Sequence, residues 1–376
     1  MKILFVTDLY PLGDEKIAKA LYYFVLEWQR QGHSVEVIRS NFVFNTKLRG
    51  RSVQKEGIYT ENGIKIYNLN FLTPFLFNVY NKLPKDFSLK NYDILISHMP
   101  CGALMSEKLL KRDKIKYSCA VHSSDISVLT SKLYRPYFKQ KLEDAYKKAD
   151  FIAARSPILK KKIEEIIPET SNKVFVAYSG IDDELVKEVS DYEAKCLDFI
   201  HTKDISVTAV ASLIKRKNID VIIKGLAELK DKNFFLRIIG DGDERENLES
   251  LTKKLGLEKN IKFLGEINRS DVFNYLKKSS LFVLLSEKET FGLSYLEAMA
   301  TMNIVIALKG DGIDGILKNE ENAFLISSNP SELKKCIEKI ASMNEDELKN
   351  LYFNMKNTIN NYKQSDAAKQ YLENLQ

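Results

Sequence analysis

Residues 289–300 have the sequence Glu-Thr-Phe-Gly-Leu-Ser-Tyr-Leu-Glu-Ala-Met-Ala and follow the apolar run Leu-Phe-Val-Leu-Leu at 281–285. A short, unbroken apolar run is typical of a buried strand in a parallel sheet. Leu293, Leu296 and Met299 recur at helical spacing, which predicts a helix directly after the intervening loop. The stretch therefore predicts a strand–loop–helix unit of an open α/β sheet.

The loop of this unit carries groups suited to a nucleotide-sugar. Glu289 lies at the carboxyl end of the predicted strand, where open α/β sheets bind their ligands. The amides that open the helix lack intrahelical partners and form an anion site; they belong to Phe291, Gly292, Leu293 and Ser294. Glu297 is expected about two turns into the helix, near the same crevice. Sugar hydroxyls would satisfy the two carboxylates on either side of a bound phosphate.

Length and composition indicate a globular protein of two domains. The chain has 376 residues, of which 44% are hydrophobic and 29% are charged. Its four cysteines are scattered, which favours reduced thiols in the cytoplasm over disulfides or a zinc site. The apolar N-terminus is too short for a signal peptide and predicts a first strand. The longest uncharged run, 66–81, is interrupted by Pro74 and is not expected to cross a bilayer as a helix.

Strands alternate with helical patterns along the chain, which predicts parallel sheets covered by helices on both faces. The strands predicted in the first half are 2–7, 34–39, 64–68, 92–97, 116–121, 151–154 and 174–177, and the helices are 15–30, 103–111, 135–148 and 156–167. Residues 183–203 are polar and without a pattern, as expected of an interdomain linker. A second series of strands is predicted at 205–210, 234–239, 261–263, 281–285 and 304–307. Two such series predict two Rossmann-like domains, and 345–376 predicts two helices.

The pair Glu289 and Glu297 resembles the Glu-x7-Glu motif of the retaining family-4 glycosyltransferases of GT-B fold. The resemblance extends from about residue 2 to 326 and is strongest over 205–307. It implies that Glu297 binds the ribose hydroxyls of the donor. It also implies that Glu289 holds hydroxyls of the transferred sugar.

The same resemblance implies how the α/β chain is organised. It predicts two Rossmann-like domains that face each other across a cleft. Residues 1–185 would bind the acceptor, and residues 200–355 would bind the nucleotide-sugar. A C-terminal helix within 356–376 would cross back and pack on the first domain.

The basic loop after the strand at 205–210 is similar to the family's diphosphate-binding segment. The resemblance implies that Lys217 neutralises the leaving nucleoside diphosphate. Ser212 stands where the family has an arginine, five residues before this lysine. Either Lys215 or Arg216 replaces that arginine, or the diphosphate is held by one cation fewer.

Two further segments of the second domain resemble donor-binding parts of the family. Gly240 and Gly242 permit a close approach of backbone to the donor. Asp241 and Asp243 also form the Asp-x-Asp pattern of metal-dependent GT-A enzymes, but the family has a Gly-x-Gly turn here, which accounts for them by position. We therefore expect no metal and no other cofactor. The segment around Leu264 resembles the one whose backbone reads the nucleobase.

In the first domain, residues 119–125 resemble the family's His-Gly-x-Asp segment at a strand end. The resemblance implies that His122 contacts the transferred sugar near the reacting carbon. Asp125 is expected to fix the tautomer or orientation of this histidine, while Ser123 replaces the usual glycine. His98 ends the preceding strand and is expected to line the same cleft without chemistry.

The loop at 8–14 joins the first strand to the first helix. Gly13 matches the first glycine of the family's Gly-Gly pair, and Asp14 replaces the second. We expect Gly13 to let the backbone approach the diphosphate or the acceptor. Tyr10 is expected on the acceptor side.

Positive charge is concentrated in the first half of the chain. Residues 1–185 hold 29 Lys and Arg against 21 Asp and Glu, within an overall charge of +6. This balance suggests an anionic partner, either lipid or nucleic acid, or a merely solvated lysine-rich surface. The cationic and aromatic stretch 132–141 and the aromatic loop 70–77 both suit a membrane surface, and both also suit ordinary packing. We expect peripheral contact with an anionic membrane and no nucleic acid.

The sequence thus predicts a cytoplasmic, retaining and metal-independent glycosyltransferase. It would move a hexose or N-acetylhexosamine from a nucleotide donor, most often a UDP-sugar in such relatives, to a lipid-linked glycan for surface polysaccharide. No nucleophilic carboxylate is evident in the first domain, which fits the front-face mechanism favoured for the family. Two alternatives remain open: a nucleotide-sugar epimerase of the same fold, and an inactive partner subunit, which Ser212, Ser123 and Asp14 at family positions would suit.

Overall fold

A computed structural model describes residues 1–13, 15, 20–43, 53–72, 78–132, 136–187, 192–202, 205–229 and 233–376. The chain forms two compact units. Unit 1 comprises Met1–Ser179 and Gln364–Gln376, and unit 2 comprises Gly180–Lys363. None of the helices in these described ranges is both long and apolar enough to cross a membrane.

Unit 1 is built on a sheet whose described strands have the order β3-β4-β2-β1-β5-β6-β7-β8. The strands are β1 (Lys2–Thr7), β2 (Ser34–Phe42), β3 (Gly57–Glu61), β4 (Ile64–Phe71), β5 (Ile94–Ser97), β6 (Lys116–Val121), β7 (Phe151–Ala154) and β8 (Val174–Val176). All neighbours are parallel except β3 and β4. The central strands are buried on both faces, which explains their continuous apolar runs.

Helices cover both faces of this sheet, and each face has its own hydrophobic cluster beneath the helices. They are α1 (Ala20–Arg30), α2 (Met99–Leu109), α3 (Ser123–Thr130), α4 (Pro136–Lys148), α5 (Pro157–Ile166) and, from the C-terminus, α14 (Gln364–Glu373). The indole of Trp28 on α1 donates to the carbonyl of Ala368 at 2.9 Å, and its ring meets Tyr371 edge-on. The prediction that the C-terminal helix returns to the first domain is confirmed.

Unit 2 contains a second parallel sheet with the order β11-β10-β9-β12-β13-β14 among its described strands. They are β9 (Ile205–Val210), β10 (Phe234–Ile239), β11 (Ile261–Gly265), β12 (Leu281–Leu284), β13 (Ile304–Leu308) and β14 (Phe324–Ile326). The helices are α6 (Asp183–Lys187), α7 (Tyr192–His201), α8 (Ile219–Ala227), α9 (Arg245–Lys254), α10 (Arg269–Lys277), α11 (Leu293–Ala300), α12 (Pro330–Ser342) and α13 (Glu345–Asn360). The predicted pair of parallel-sheet α/β domains is confirmed.

Several local predictions are corrected by the structure. The expected linker at 183–203 contains α6 and α7 instead, and Cys196 on α7 is completely buried. The chain crosses between units at 179–180 and 363–364. Residue 356, the predicted start of the returning segment, lies inside α13, and the returning helix starts at Gln364. Glu297 lies one turn into α11, not two, because that helix begins at Leu293.

Two elements of unit 1 were not predicted. The first is β3, which forms a hairpin with the predicted strand β4 and turns at Asn62 and Gly63, both with positive φ. An Asn-Gly pair between strands is a strong hairpin signal, and the sequence therefore contained it. Helix α3 begins directly after His122, where the sequence predicted only a strand end.

Candidate active site

Two loops lie side by side at the carboxyl ends of β9 and β12, which are neighbouring strands of unit 2. One is the 3₁₀ turn Lys215–Lys217, and the other is the loop 285–289. The amide of Glu287 donates to the carbonyl of Arg216 at 2.8 Å, and the Arg216 guanidinium donates to the Glu287 carbonyl at 2.9 Å. Asn218 donates to the Leu285 carbonyl at 2.8 Å. The two loops are thereby fixed against each other.

Glu289 receives its partners from both loops. Its Oε1 accepts from the Ser286 hydroxyl at 2.7 Å and from the ammonium of Lys217. The guanidinium of Arg216 lies 3.8 Å from the same oxygen. Burial raises the pKa of Glu289, but the charge and hydrogen bond of Lys217, with help from Ser286 and Arg216, lower it more, so the net pKa falls below the usual value.

The structure distinguishes between Lys215 and Arg216, the two candidates to replace the family's arginine. Ser212, Lys215 and Arg216 are all exposed. Arg216 nevertheless donates to the Glu287 backbone and lies beside Glu289. Lys217 is the most buried of the three cations, with 11% of its side chain exposed. Arg216 is therefore the cation that accompanies Lys217 at this site.

Glu297 has a separate cationic partner. Its Oε1 accepts from the guanidinium of Arg269 at 2.7 Å, and that guanidinium also lies 5.4 Å over the ring of Phe273. Burial raises the pKa of Glu297, and the charge of Arg269 opposes the rise without cancelling it. Sequence reasoning missed Arg269, because the contact joins the start of α10 to α11 and leaves no local pattern.

The start of α11 is shaped by glycine. Gly292 has a φ of 87°, and a Cβ there would lie 2.5 Å from the ring of Tyr295. Tyr295 is buried and donates to the carbonyl of Leu284 at 2.8 Å, so it ties the helix to the end of β12. Phe291 is buried as well, while Leu293 and Ser294 open the helix and are half-buried. The helix N-terminus thus follows Glu289 directly, as the sequence predicted.

Close packing of the backbone requires glycine at the two positions 240 and 242, which follow β10. A Cβ on Gly240 would lie 1.9 Å from the carbonyl oxygen of Ala211, and one on Gly242 would lie 2.5 Å from that of Leu213. The backbone after β9 therefore packs directly on both glycines. Their predicted approach to a donor remains a prediction. Leu264, in β11, is half-buried at the same end of the sheet.

Asp241 is engaged within its own turn. Its carboxylate accepts from the amide of Gly242 at 2.8 Å and from the guanidinium of Arg245 at 2.9 Å. Within the described residues, no cluster of three or more His, Cys, Asp or Glu side chains is arranged to hold a metal ion.

In unit 1, the candidate histidines form a buried chain of contacts. His98 Nδ1 lies 3.0 Å from His122 Nε2, and His98 Nε2 lies 3.2 Å from the hydroxyl of Tyr371 on α14. His98 is completely buried, so it supports His122 from behind and does not line an open surface. Burial, followed by the charge of Arg155, lowers the pKa of His122 to about 3. Both effects favour a neutral imidazole.

The carboxylate of Asp125 contacts the backbone of His122 and not its ring. Its Oδ2 accepts from the backbone amide of His122 at 3.0 Å, and its Oδ1 accepts from the hydroxyl of Tyr146 at 2.8 Å. Asp125 therefore caps the start of α3, a role available to an acid three residues after the N-cap. Burial raises the pKa of Asp125 to about 7, against the hydrogen bonds that lower it.

The first loop of unit 1 is largely closed. Tyr10 is completely buried and packs 5.6 Å from the ring of Tyr22, and burial raises the pKa of its hydroxyl far above the usual value. The amide of Gly13, a residue with a φ of 61°, donates to Glu61 at 2.8 Å. Asp14 lies outside the described residues.

The two stretches predicted to meet a membrane are described in part. Tyr137 on α4 is 56% exposed, and the ammonium of Lys141 lies 5.7 Å from its ring. Leu72, after β4, is 78% exposed. Residues 133–135 and 73–77 lie outside the described ranges.

Comparison with known proteins identifies two family models along this chain. The model of the glycosyl transferases group 1 matches residues 198–362, and that of glycosyltransferase family 4 matches residues 17–185. The chain is 25% identical over 301 residues to the N-acetyl-alpha-D-glucosaminyl L-malate synthase of Bacillus anthracis, and the match covers 78% of this chain and 76% of that protein.

A second relative is a Campylobacter jejuni protein, 26% identical over 268 residues, with 68% of this chain and 70% of that protein covered. It is named N-acetylgalactosamine-N,N'-diacetylbacillosaminyl-diphospho-undecaprenol 4-alpha-N-acetylgalactosaminyltransferase. Among solved structures, an Anabaena protein in complex with UDP superposes with a TM-score of 0.72 at 18% identity, over 100% of this chain and 99% of that one. This chain therefore shares its fold with that protein.

Proposed function

The chain belongs to the family-4 glycosyltransferases of GT-B fold, and from this membership we propose that it transfers a hexose or N-acetylhexosamine from a UDP-sugar to a glycan acceptor with retention of configuration. The observation that carries the proposal is the convergence of Lys217, Arg216 and Ser286 on Glu289. A carboxylate that binds sugar hydroxyls and cations that bind a diphosphate are adjacent there, as a nucleotide-sugar requires. The UDP complex of the Anabaena protein supports the choice of nucleotide.

Each group has a distinct part in the proposed transfer. Glu289 accepts hydrogen bonds from hydroxyls of the sugar, and Glu297 accepts them from the ribose. Lys217 and Arg216 stabilise the negative charge that develops on the diphosphate as its bond to the anomeric carbon breaks. The acceptor oxygen forms its bond to that carbon on the same face. Its proton passes to the departing phosphate oxygen, so no protein base is required.

His122 takes part as a neutral hydrogen-bonding group. Its low pKa, from burial and the charge of Arg155, keeps it uncharged at neutral pH. A neutral imidazole contacts a sugar hydroxyl without adding positive charge near a carbon that itself becomes positive. His98 and Tyr371 hold its ring in place.

The proposed reaction is independent of divalent metal. Lys217, Arg216 and the N-terminus of α11 supply the positive charge that a metal ion provides in other glycosyltransferases. Asp241, the first acid of the Asp-x-Asp pattern, is paired with Arg245.

A lipid-linked saccharide for surface polysaccharide is the proposed acceptor. The Campylobacter jejuni relative is named for an undecaprenol-linked acceptor. The surplus of positive charge over 1–185 suits peripheral contact with an anionic membrane on the cytoplasmic side. Cosedimentation with phosphatidylglycerol vesicles that weakens as salt is added tests this contact.

The function is tested by nucleotide binding and donor turnover. Calorimetry with UDP, GDP and ADP should give the tightest binding for UDP, and a panel of UDP-sugars should then yield free UDP as the only nucleotide product. Release of UDP without acceptor would rule out an inactive subunit. Interconversion of two UDP-sugars without release of UDP would identify an epimerase and overturn the proposal.

A further inference from the structure

The turn after β13 holds the backbone that carries Glu289. Asp311 lies in this turn, and its carboxylate accepts hydrogen bonds from three backbone amides. Oδ2 accepts from Lys288 at 2.6 Å, and Oδ1 accepts from Glu289 at 2.7 Å and from Gly312 at 2.6 Å. Hydrogen bonds to an ionised acceptor are stronger than neutral ones. One side chain therefore fixes both residues at the end of the 285–289 loop.

The backbone of this loop depends on such support. Lys288 has a φ of 59°, in the left-handed region, which is unfavourable for a non-glycine residue. Gly312 packs directly on the backbone of Glu289, since a Cβ on Gly312 would lie 2.4 Å from the Glu289 carbonyl oxygen. Asp311 and Gly312 thus hold the loop by hydrogen bonds and by close contact.

The loop is also held by the 3₁₀ turn Lys215–Lys217, because the backbone carbonyl and the guanidinium of Arg216 each form a hydrogen bond with the Glu287 backbone. The loop is therefore fixed from two directions. Between the two attachments, the side chain of Glu289 is directed to Lys217 and Ser286. Loss of the hydrogen bonds to Asp311 would therefore shift Glu289 and leave the 3₁₀ turn Lys215–Lys217 in place.

We propose that Asp311 is the positioning residue for Glu289 and thereby controls turnover without contributing to nucleotide affinity. This inference rests on the sugar-binding role of Glu289 in the proposed function. The hydrogen bonds of Asp311 point to the loop backbone, so its effect on the sugar passes through Glu289. Misplacement of a reacting group by about 1 Å costs on the order of a hundredfold in rate.

The test uses Asp311→Ala and Asp311→Asn in the full chain. Alanine removes all three hydrogen bonds and should lower kcat about a hundredfold. Asparagine has one carbonyl oxygen for Glu289 and Gly312, but its amide group would face the Lys288 amide, so its kcat should be intermediate. Equal kcat values for the two variants would mean that only the negative charge of Asp311 matters, and would contradict positioning by its hydrogen bonds. Asp314→Ala is the matched control, because Asp314 accepts from Gly310 within the same turn at 2.7 Å.

Two further measurements separate positioning from general damage. UDP affinity and melting temperature of Asp311→Ala should stay close to those of the unmodified protein. The double variant Glu289→Ala/Asp311→Ala should turn over no more slowly than Glu289→Ala, because the second change acts only through the first residue.

The outcomes distinguish this inference from the function on which it rests. Full turnover by Glu289→Ala would reject the role of Glu289 and, with it, the positioning role of Asp311. An inactive Glu289→Ala alongside a fully active Asp311→Ala would reject only the positioning role. Additive losses in the double variant, or a parallel loss of UDP affinity in Asp311→Ala, would also reject it.

Discussion

Lys217 and Glu289 form an ion pair at the carboxyl ends of two neighbouring strands, with 11% and 17% of their side chains exposed. The cation that would meet the leaving diphosphate is thus paired with the carboxylate that would meet the sugar. A bound donor exchanges this contact for two of its own, since the diphosphate attracts Lys217 and the sugar hydroxyls donate to Glu289. The pair keeps both groups in place until then.

The first prediction concerns Lys217. Lys217→Ala should lower kcat by on the order of a hundredfold or more, the size expected from the loss of one preorganised electrostatic contact. The steady-state rate of UDP release is the measurement, and Lys215→Ala is the matched control, because Lys215 is an exposed cation of the same turn. Near-normal turnover of Lys217→Ala would assign the catalytic cation to another residue.

The second prediction assigns the accompanying cation. Arg216→Gln should weaken UDP binding about tenfold while binding of uridine is unchanged, because only the phosphate contact is lost. Lys215→Gln should bind both ligands normally. Calorimetry with the two ligands decides the assignment, and a selective loss of UDP affinity in Lys215→Gln would reverse it.

Much of the architecture of unit 2 was predictable from local sequence, because apolar runs and helical spacing define β12 and α11. The proximity of Lys217 to Glu289 was implied only by the family resemblance, because β9 and β12 are neighbours in the sheet without being consecutive in the chain. Arg269 and Asp311 were not predictable in this way. Each acts on a residue more than twenty positions away, through contacts set by the packing of loops and helices. No spacing rule encodes such contacts.

The third prediction separates the two glutamates. Glu297→Ala should weaken UDP binding, because it removes the ribose contact and leaves Arg269 without this partner. Glu289→Ala should lose turnover and keep its UDP affinity, because in the proposed complex its carboxylate contacts the sugar and not the nucleotide. Calorimetry of both variants is the measurement. An equal loss of UDP affinity in the two would contradict this division of roles.

The fourth prediction is an acid sensitivity caused by His122. Its folded pKa is about 3, below the ordinary value of 6.5, so between these values the unfolded chain binds a proton that the folded chain does not. The free energy of unfolding should therefore fall by about 1.4 kcal/mol for each pH unit below about 6 on account of this residue. Asp125, whose pKa is raised from 3.8 to about 7 in the folded protein, has the opposite effect: between these values its contribution to the free energy of unfolding grows as the pH falls.

Comparison with His122→Gln isolates this contribution. Between pH 7 and pH 5, urea unfolding should show that the free energy of unfolding falls less, or rises more, for the variant than for the unmodified protein. Equal changes in the two proteins would mean that His122 takes up its proton in the folded protein too. An NMR titration of the His122 ring, assigned with the same variant, gives an independent measure of the pKa.

The last prediction is that transfer requires no divalent metal and retains the donor's anomeric configuration. Metal independence follows because Lys217, Arg216 and the N-terminus of α11 together supply the positive charge for the leaving diphosphate. Asp241 is a turn residue paired with Arg245, so Asp241→Asn should leave activity largely intact. Retention follows if the departing phosphate oxygen takes the acceptor's proton on the face it leaves. Activity that EDTA abolishes and manganese restores would disprove the first part, and an inverted anomeric coupling in the product's NMR spectrum would disprove the second.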